Sequence, residues 1–220
     1  AGGSTCSLTK EIAGKINNYL KINTIAHLTC IGNTKKEIQK TLIDLELLNI
    51  ENILALRGDL PENKTKEEVL KDFQYASDLV KFIKKEKPHL SIGVAGYVEK
   101  HPEAISLEKD IENLKKKIDE GADFIITQLF FDNEKLYHFV DLCYKKGITI
   151  PILSGIFLIF NFKQLNKIYQ LSRELTIPQE LYQQLEKYQE NPEEIKKIGI
   201  DFAIKQVQEI KKKQIVQGIH

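Results

Sequence analysis

The stretch NILALRGDLP, residues 52–61, opens on a short apolar run, Ile53-Leu54-Ala55-Leu56, that breaks abruptly into charge at Arg57-Gly58-Asp59. The run reads as a buried strand and the charges as the residues that follow its end. An Arg-Gly-Asp tripeptide on its own suggests cell adhesion. That reading needs a flexible exposed loop, which a tripeptide leaving a buried strand does not supply.

Working outward, further apolar, β-branched runs lie at 25–30, 91–98, 123–131 and 149–156, and a last one begins at 215–220. Between them the apolar residues take a helical period. Ile38, Leu42, Leu45 and Leu48 share one helix face, and so do Leu107, Ile111, Leu114 and Ile118. Over the first five runs strand and helix thus recur every 26 to 39 residues without a long linker. The expectation is a set of βαβ units around a parallel sheet.

Neither GxGxxG nor GxxxxGK[ST] follows any of these runs, so the usual nucleotide fingerprints of open sheets are missing. A (β/α)8 barrel accommodates the regular repeat better. The chain opens with a small, glycine-rich loop leading into a helix at about 8–20, contains no methionine, and stops at His220 inside a strand run. Five full runs and part of a sixth fall short of the eight a barrel needs. The expected fold is therefore α/β, a (β/α)8 TIM barrel forming one catalytic domain over 1–220 and cut at both ends. Such a chain would leave two sheet edges uncovered, and poor stability or aggregation is expected of it.

Composition narrows the function classes. Lys and Arg total 32 against 31 Asp and Glu, a net charge of +1, so no global field favours nucleic acid or an acidic membrane. Arginine occurs only at Arg57 and Arg173, which singles out Arg57. Cys6, Cys30 and Cys143 are odd in number and widely spaced, which reads as reduced thiols in a cytoplasmic protein. Cys30 and Cys143 read as small buried hydrophobes and Cys6 as a loop residue. No signal peptide is visible, and the greasiest window, 148–160, is too short to span a bilayer and is broken by Pro151 and Gly155. No membrane association is expected.

In a parallel barrel the functional face lies at the carboxyl ends of the strands. Those positions hold His27 and Thr29, then Arg57-Gly58-Asp59, then Tyr97, Glu99 and His101, then Thr127 and Gln128. Strands must end in something polar, and a lone histidine such as His27 is commonly a satisfied interior residue, so the grouping counts for more than any member. No HxH or HExxH spacing accompanies the histidines, and no metal is expected. Asp110, Asn113 and Lys117 form a polar stripe beside the apolar stripe of Leu107 to Ile118. Periodicity alone reads it as a solvated helix face.

Six segments in register carry a specific resemblance: AHLTC (26–30), LALRGDLP (54–61), YASDLV (75–80), GYVEKHPEA (96–104), DIENLKKKIDEGADFIITQLFFD (110–132) and NFKQ (161–164). Together they resemble the bacterial-type, FAD-dependent methylenetetrahydrofolate reductase family over essentially the whole chain, lacking the first two strands and most of the last. The resemblance implies a (β/α)8 barrel that holds FAD and reduces 5,10-methylenetetrahydrofolate to 5-methyltetrahydrofolate with NADH or NADPH. That reaction serves one-carbon metabolism and methionine biosynthesis in the cytoplasm, and a homo-oligomer is implied. By the same resemblance Ala1, His27, Arg57, Gly58, Asp59, Ala76, Tyr97, His101, Ala104, Asp110, Asn113, Lys116 and Lys117 fall on flavin-contacting positions. The polar stripe is then reassigned from solvent to cofactor. Asp59 falls near the flavin ring and the pterin of the folate, where its charge opposes extra electron density on the flavin. Gln128 matches the residue that hydrogen-bonds folate and nicotinamide in turn, and Phe162 an aromatic that stacks on either. Asp59 and Gln128 are the implied catalytic residues, and Asp59, Gln128 and Phe162 the implied substrate contacts. One site serving both ligands suits a ping-pong cycle.

Some features depart from the family pattern. The family's proton donor is a glutamate on the first barrel strand, and no Glu in 1–220 matches it, Glu99 and Glu103 included. Leu158 and Phe160 stand where the family has a proline and then a small polar residue, and Val98 where a proline is usual. The alternative expectation is a degenerate relative that binds FAD or a partner subunit without turnover.

Overall fold

The computed structural model describes residues 6–60, 65–171 and 175–220. Helix and strand alternate along it: α1 (Cys6–Tyr19), β1 (Ile25–Thr29), α2 (Lys35–Leu47), β2 (Asn52–Leu56), α3 (Lys66–Val69), α4 (Ala76–Glu86), β3 (Ser91–Gly96), α5 (Leu107–Asp119), β4 (Phe124–Thr127), α6 (Asn133–Lys145), β5 (Ile152–Ser154), α7 (Phe162–Leu171), α8 (Gln179–Lys187), α9 (Pro192–Lys213) and β6 (Gly218–Ile219). The strands form a six-stranded sheet in chain order, β1 to β6, with β1 and β6 at its two ends. β1 pairs parallel with β2 from Ile25↔Asn52 to Thr29↔Leu56, and β2 with β3 from Asn52↔Ser91 to Ala55↔Val94. This is the (β/α) barrel pattern carried by six strands, the α/β class expected from the sequence.

Burial follows strand position. In β2, Ile53, Leu54 and Ala55 are all buried, and in β3 Ile92, Gly93 and Val94 are, because central strands are covered on both faces. β1, at an end of the sheet, alternates instead: Ala26 and Leu28 are buried while Ile25 and His27 are exposed. His27 is thus an exposed position in this sheet.

The helices start where their capping residues dictate. Thr34 and Glu37 form a reciprocal capping box on α2, whose Ile38, Leu42 and Leu45 are buried. The Asp78 carboxylate accepts the backbone N–H groups of Gln74 and Tyr75 at 2.9 Å each, fixing the start of α4. Asp132 caps α6 and Asn191 caps α9, where Pro192 occupies the first turn and Lys211, Lys212 and Lys213 the last.

The chain divides into two compact units, Ala1–Ala95 with Leu114–Ile125, and Gly96–Asn113 with Ile126–His220. In the first, Asp123 ties the ladder to a helix: its carboxylate accepts the Ile92 N–H at 2.7 Å and the Lys84 ammonium at 2.9 Å. In the second, Phe131, Ile159, Leu165, Leu175, Leu181, Leu185 and Ile195 form a buried cluster. There the Gly155 N–H donates to the buried Thr127 hydroxyl at 2.9 Å. A Cβ at Gly155 would lie 2.3 Å from the Thr127 carbonyl oxygen, so only glycine permits this approach of backbone to backbone.

Three expectations change. The strands end earlier than the apolar runs: β2 stops at Leu56, β3 at Gly96, β4 at Thr127 and β5 at Ser154. Cys6 is the first residue of α1 rather than a loop residue. The regular strand–helix spacing fails after β5, where α7, α8 and α9 all intervene before β6. Among the described residues no helix is long and apolar enough to cross a membrane.

Two predictions follow from this packing. Thr127→Val keeps the volume but removes the acceptor for the Gly155 N–H, which should cost about 1–3 kcal/mol in a urea titration. Cys30 and Cys143 are free and buried, and burial pushes their thiols up to about 11 and about 12. Both hold their protons more tightly folded than unfolded, so their contribution is complete below about pH 9 and declines as pH rises through those raised values. Cys30→Ala and Cys143→Ala should each flatten that alkaline loss, and in the native protein both thiols should resist a neutral-pH thiol reagent that labels them after denaturation.

Candidate functional site

In the first unit the Arg57-Gly58-Asp59 turn continues the β1–β2 ladder. Cys30 N–H donates to Leu56 O at 3.1 Å and Ile31 N–H to Arg57 O at 2.8 Å, so the turn is held by backbone bonds past the last strand residue. The Cys30 thiol lies 3.7 Å from the carbonyls of both Arg57 and Tyr75. Gly58 has φ +91°, and a Cβ there would meet Ile31 Cγ2 at 2.6 Å. Glycine is required on both counts. Arg57 Nε donates back to Gly58 O at 3.4 Å, with Arg57 half-buried and Asp59 exposed. Ala76 is half-buried at the first residue of α4.

In the second unit the segment after β3 is a tight polar turn. The Tyr97 and His101 rings meet edge to face, 4.7 Å between centroids. His101 N–H donates to the Asp110 carboxylate at 2.9 Å, and His101 Nδ1 accepts the Glu103 N–H at 3.0 Å. With Nδ1 an acceptor, the neutral ring carries its proton on Nε2 and presents a donor there. Lys100 Nζ reaches the Ala104 carbonyl at 3.0 Å, and Ala104 N–H returns to His101 O at 2.9 Å.

Two of the three residues in the polar stripe of α5 bond the chain itself. Asp110, half-buried, accepts the His101 N–H, and Lys117, the last residue of the stripe, donates to Ala95 O at 2.7 Å. Asn113, between them, and Lys116 are exposed.

Gln128 follows β4 directly; its N–H donates to Gly96 O at 2.7 Å, carrying the ladder one residue further. Its side-chain Oε1 accepts the Leu129 N–H at 3.1 Å, which turns the exposed amide so that Nε2 is the outward donor. Phe162 starts α7, half-buried, with the Tyr182 ring 5.8 Å away. Leu158 and Phe160 in the preceding loop are 42% and 43% exposed, while Ile159 between them is buried. Of the residues singled out in the sequence, Arg57 and Gly58 are brought together in one unit, and Tyr97, His101, Ala104 and Asp110 in the other; Ala1 lies outside the described residues.

Sequence reasoning missed two participants and one partner. Cys30 supports the Arg57 carbonyl, Tyr182 flanks Phe162, and Glu99, a strand-end residue already singled out, accepts the Thr176 N–H at 3.1 Å on both carboxylate oxygens. Burial pushes the Glu99 carboxyl above the usual carboxylate range, against the hydrogen bonds from Thr176. Nothing in the local sequence signals a partner 77 residues away. Among the described residues no group of three or more His, Cys, Asp or Glu side chains could hold a metal ion.

Comparison with known proteins agrees with these features. The chain matches the methylenetetrahydrofolate reductase family over residues 1–220. It is 40% identical over 230 aligned positions to "Methylenetetrahydrofolate reductase (NADH) 1" of Arabidopsis thaliana, covering all of this chain and 38% of that one. It is 38% identical to the 5,10-methylenetetrahydrofolate reductase of Escherichia coli, covering 90% of this chain and 65% of that one. The chain thus spans less than two thirds of either relative. Among solved structures, an uncharacterized protein from Clostridium thermocellum that binds two copies of 5-methyl-5,6,7,8-tetrahydrofolic acid superposes with a TM-score of 0.60 at 20% identity, over 93% of this chain and 68% of that one. That likeness speaks to the fold, whereas the sequence match, running from the first residue to the last, decides the family: this chain belongs to the methylenetetrahydrofolate reductases.

Proposed function

We propose that this chain builds the FAD site of a cytoplasmic, homo-oligomeric methylenetetrahydrofolate reductase. The enzyme reduces 5,10-methylenetetrahydrofolate to 5-methyltetrahydrofolate with NADH or NADPH, in one-carbon metabolism and methionine biosynthesis. The family match over residues 1–220 carries the reading. The free, buried Cys30 and Cys143 suit the reducing cytoplasm.

The residues fit the cofactor by the chemistry of their donors and acceptors. A dinucleotide needs cationic or N–H donors at its pyrophosphate, an acceptor for ribose hydroxyls and an aromatic surface. Arg57, Lys116 and Lys117, in one unit, are cations of the kind a pyrophosphate takes; in the other unit the His101 ring suits an oxygen acceptor, Asp110 a hydroxyl and the Tyr97 ring an apolar face. At Gly58 the side chains of Ile31 and Thr29 fill the space a Cβ would need, so packing fixes the turn between Arg57 and Asp59. His27, Ala76, Ala104 and Asn113 complete the set that the family resemblance assigns.

When bound, FAD supplies the redox chemistry, passing reducing equivalents from the pyridine nucleotide to the folate. The chain's own residues bind and orient. Asp59, exposed at the end of its turn, can accept hydrogen bonds from the pterin and places a negative charge beside the flavin. Gln128 offers its outward amide N–H to either ligand, and Phe162 offers its ring face.

A second reading, a relative that keeps the flavin without turnover, draws on the bulky exposed Leu158 and Phe160 just ahead of Phe162. The purified protein, mixed with FAD and freed of unbound flavin, should retain a visible flavin spectrum. Anaerobic NADH or NADPH should bleach it, and methylenetetrahydrofolate should restore the colour. A colourless protein would overturn the flavin reading, and bleaching that folate does not reverse would select the second. Asp110→Ala, which frees the His101 backbone, should weaken FAD binding about tenfold or more, with Asp110→Asn retaining most of it because the amide keeps an acceptor.

A further inference from the structure

We propose that Glu99 is a positioning residue for the flavin: its carboxyl clasps the Thr176 backbone N–H and thereby fixes the turn that carries Tyr97 and His101. The inference rests on the flavin reading above and adds a residue that the family resemblance does not assign.

Glu99 lies between Tyr97 and His101 in the turn after β3, two residues from each. Both of its oxygens sit 3.1 Å from the Thr176 nitrogen, in the segment between α7 and α8. Its neighbours Val98 and Leu175 are buried, at 2% and 6% exposure, so both ends of the clasp are seated in packed structure. Glu99 itself is half-buried. Within the turn, His101 N–H donates to the Asp110 carboxylate and Lys100 Nζ to Ala104 O, and before it Gln128 N–H donates to Gly96 O. Glu99 adds a tie from the middle of the turn to a segment remote in the chain, 77 residues on.

The charges facing Glu99 are Lys135 and Asp132 at the start of α6, which act in opposite directions. On its own turn stand Lys100, His101 and Glu103. Burial outweighs the Thr176 hydrogen bonds and raises the Glu99 pKa, which fixes the sign of the pH effect. The clasped form binds a proton more tightly than an opened form with Glu99 in water. Acid therefore favours the clasp, and rising pH weakens it as the buried carboxyl ionises. Glutamine keeps an acceptor and has no ionisation to oppose burial.

The test measures FAD affinity by quenching of flavin fluorescence, and Thr176 amide exchange, from about pH 5 to 8 for the 220-residue protein, Glu99→Gln and Glu99→Leu. In the wild type both affinity and Thr176 protection should be greatest on the acid side and fall as pH rises. Glu99→Gln should hold the acid-side values at every pH, and Glu99→Leu should lose about tenfold in each. A merely structural role would lower the melting temperature without a pH step that Gln abolishes. A step that persists in Glu99→Gln belongs to another group, such as His101, and overturns the proposal. FAD affinity unchanged in Glu99→Leu also overturns it. If the leucine variant does not fold, the glutamine comparison decides alone. A wild type that binds no FAD at any pH overturns the flavin reading and the flavin role of Glu99 with it. In that case Thr176 exchange, followed without cofactor, separately decides whether the clasp exists.

Discussion

In a parallel sheet the last carbonyls and amides of each strand have no turn to fold back on, so whatever follows the strand must satisfy them. This requirement organises the candidate site. Beyond β2, the Leu56 and Arg57 carbonyls are taken by Cys30 and Ile31 N–H groups; at β3, Ala95 O is taken by the Lys117 ammonium and Gly96 O by Gln128 N–H. After β5, Gly155 N–H turns to the Thr127 hydroxyl. Arg57, Lys117 and Gln128, which the family resemblance assigns to ligands, are among the residues completing the ladders. A change at such a position should therefore be felt in both stability and binding.

The α5 stripe shows why periodicity alone could not settle its role. Asp110, Asn113 and Lys117 at helical spacing are compatible with water, with a ligand, or with the chain itself. The structure gives two of the three to the chain. A lysine whose ammonium bonds a strand-end carbonyl at 2.7 Å has lost much of the rotamer freedom it would have in solvent.

Much of the fold was legible because its signals are local. Buried runs such as Ile53 to Ala55 and the face Ile38, Leu42, Leu45 read directly as strand and helix, and the six strands lie where the apolar runs are. The Thr34–Glu37 capping box marks a helix start from four residues of sequence. What was not legible depends on contacts between distant residues. The regular spacing broke after β5 because α8 and α9 bury Leu181, Leu185 and Ile195 in a cluster with Phe131 and Ile159, which a strand count cannot anticipate. His27 sits among apolar neighbours, yet β1 occupies an end of the sheet and its alternate residues are exposed. Glu99 and Thr176 share no motif; only the fold brings a carboxylate to that amide.

The Arg-Gly-Asp turn illustrates how context overrides a motif. A tripeptide recognised by a receptor must project freely and adapt its backbone to the partner. Here Arg57 O is bonded to Ile31 N–H, and at Gly58, with φ +91°, an added Cβ would lie 2.6 Å from Ile31 Cγ2 and 3.2 Å from Thr29 Cβ. Any larger residue at position 58 would have to displace the Ile31 and Thr29 side chains and adopt a left-handed backbone, so the glycine is required by packing before any ligand is considered. The same closeness fixes the direction of the two charged neighbours. Arg57 folds back over Gly58 O, and Asp59 emerges as the exposed member. The turn therefore divides its two charges by backbone geometry alone: one is folded onto the chain and the other is left to solvent, three residues beyond the end of β2.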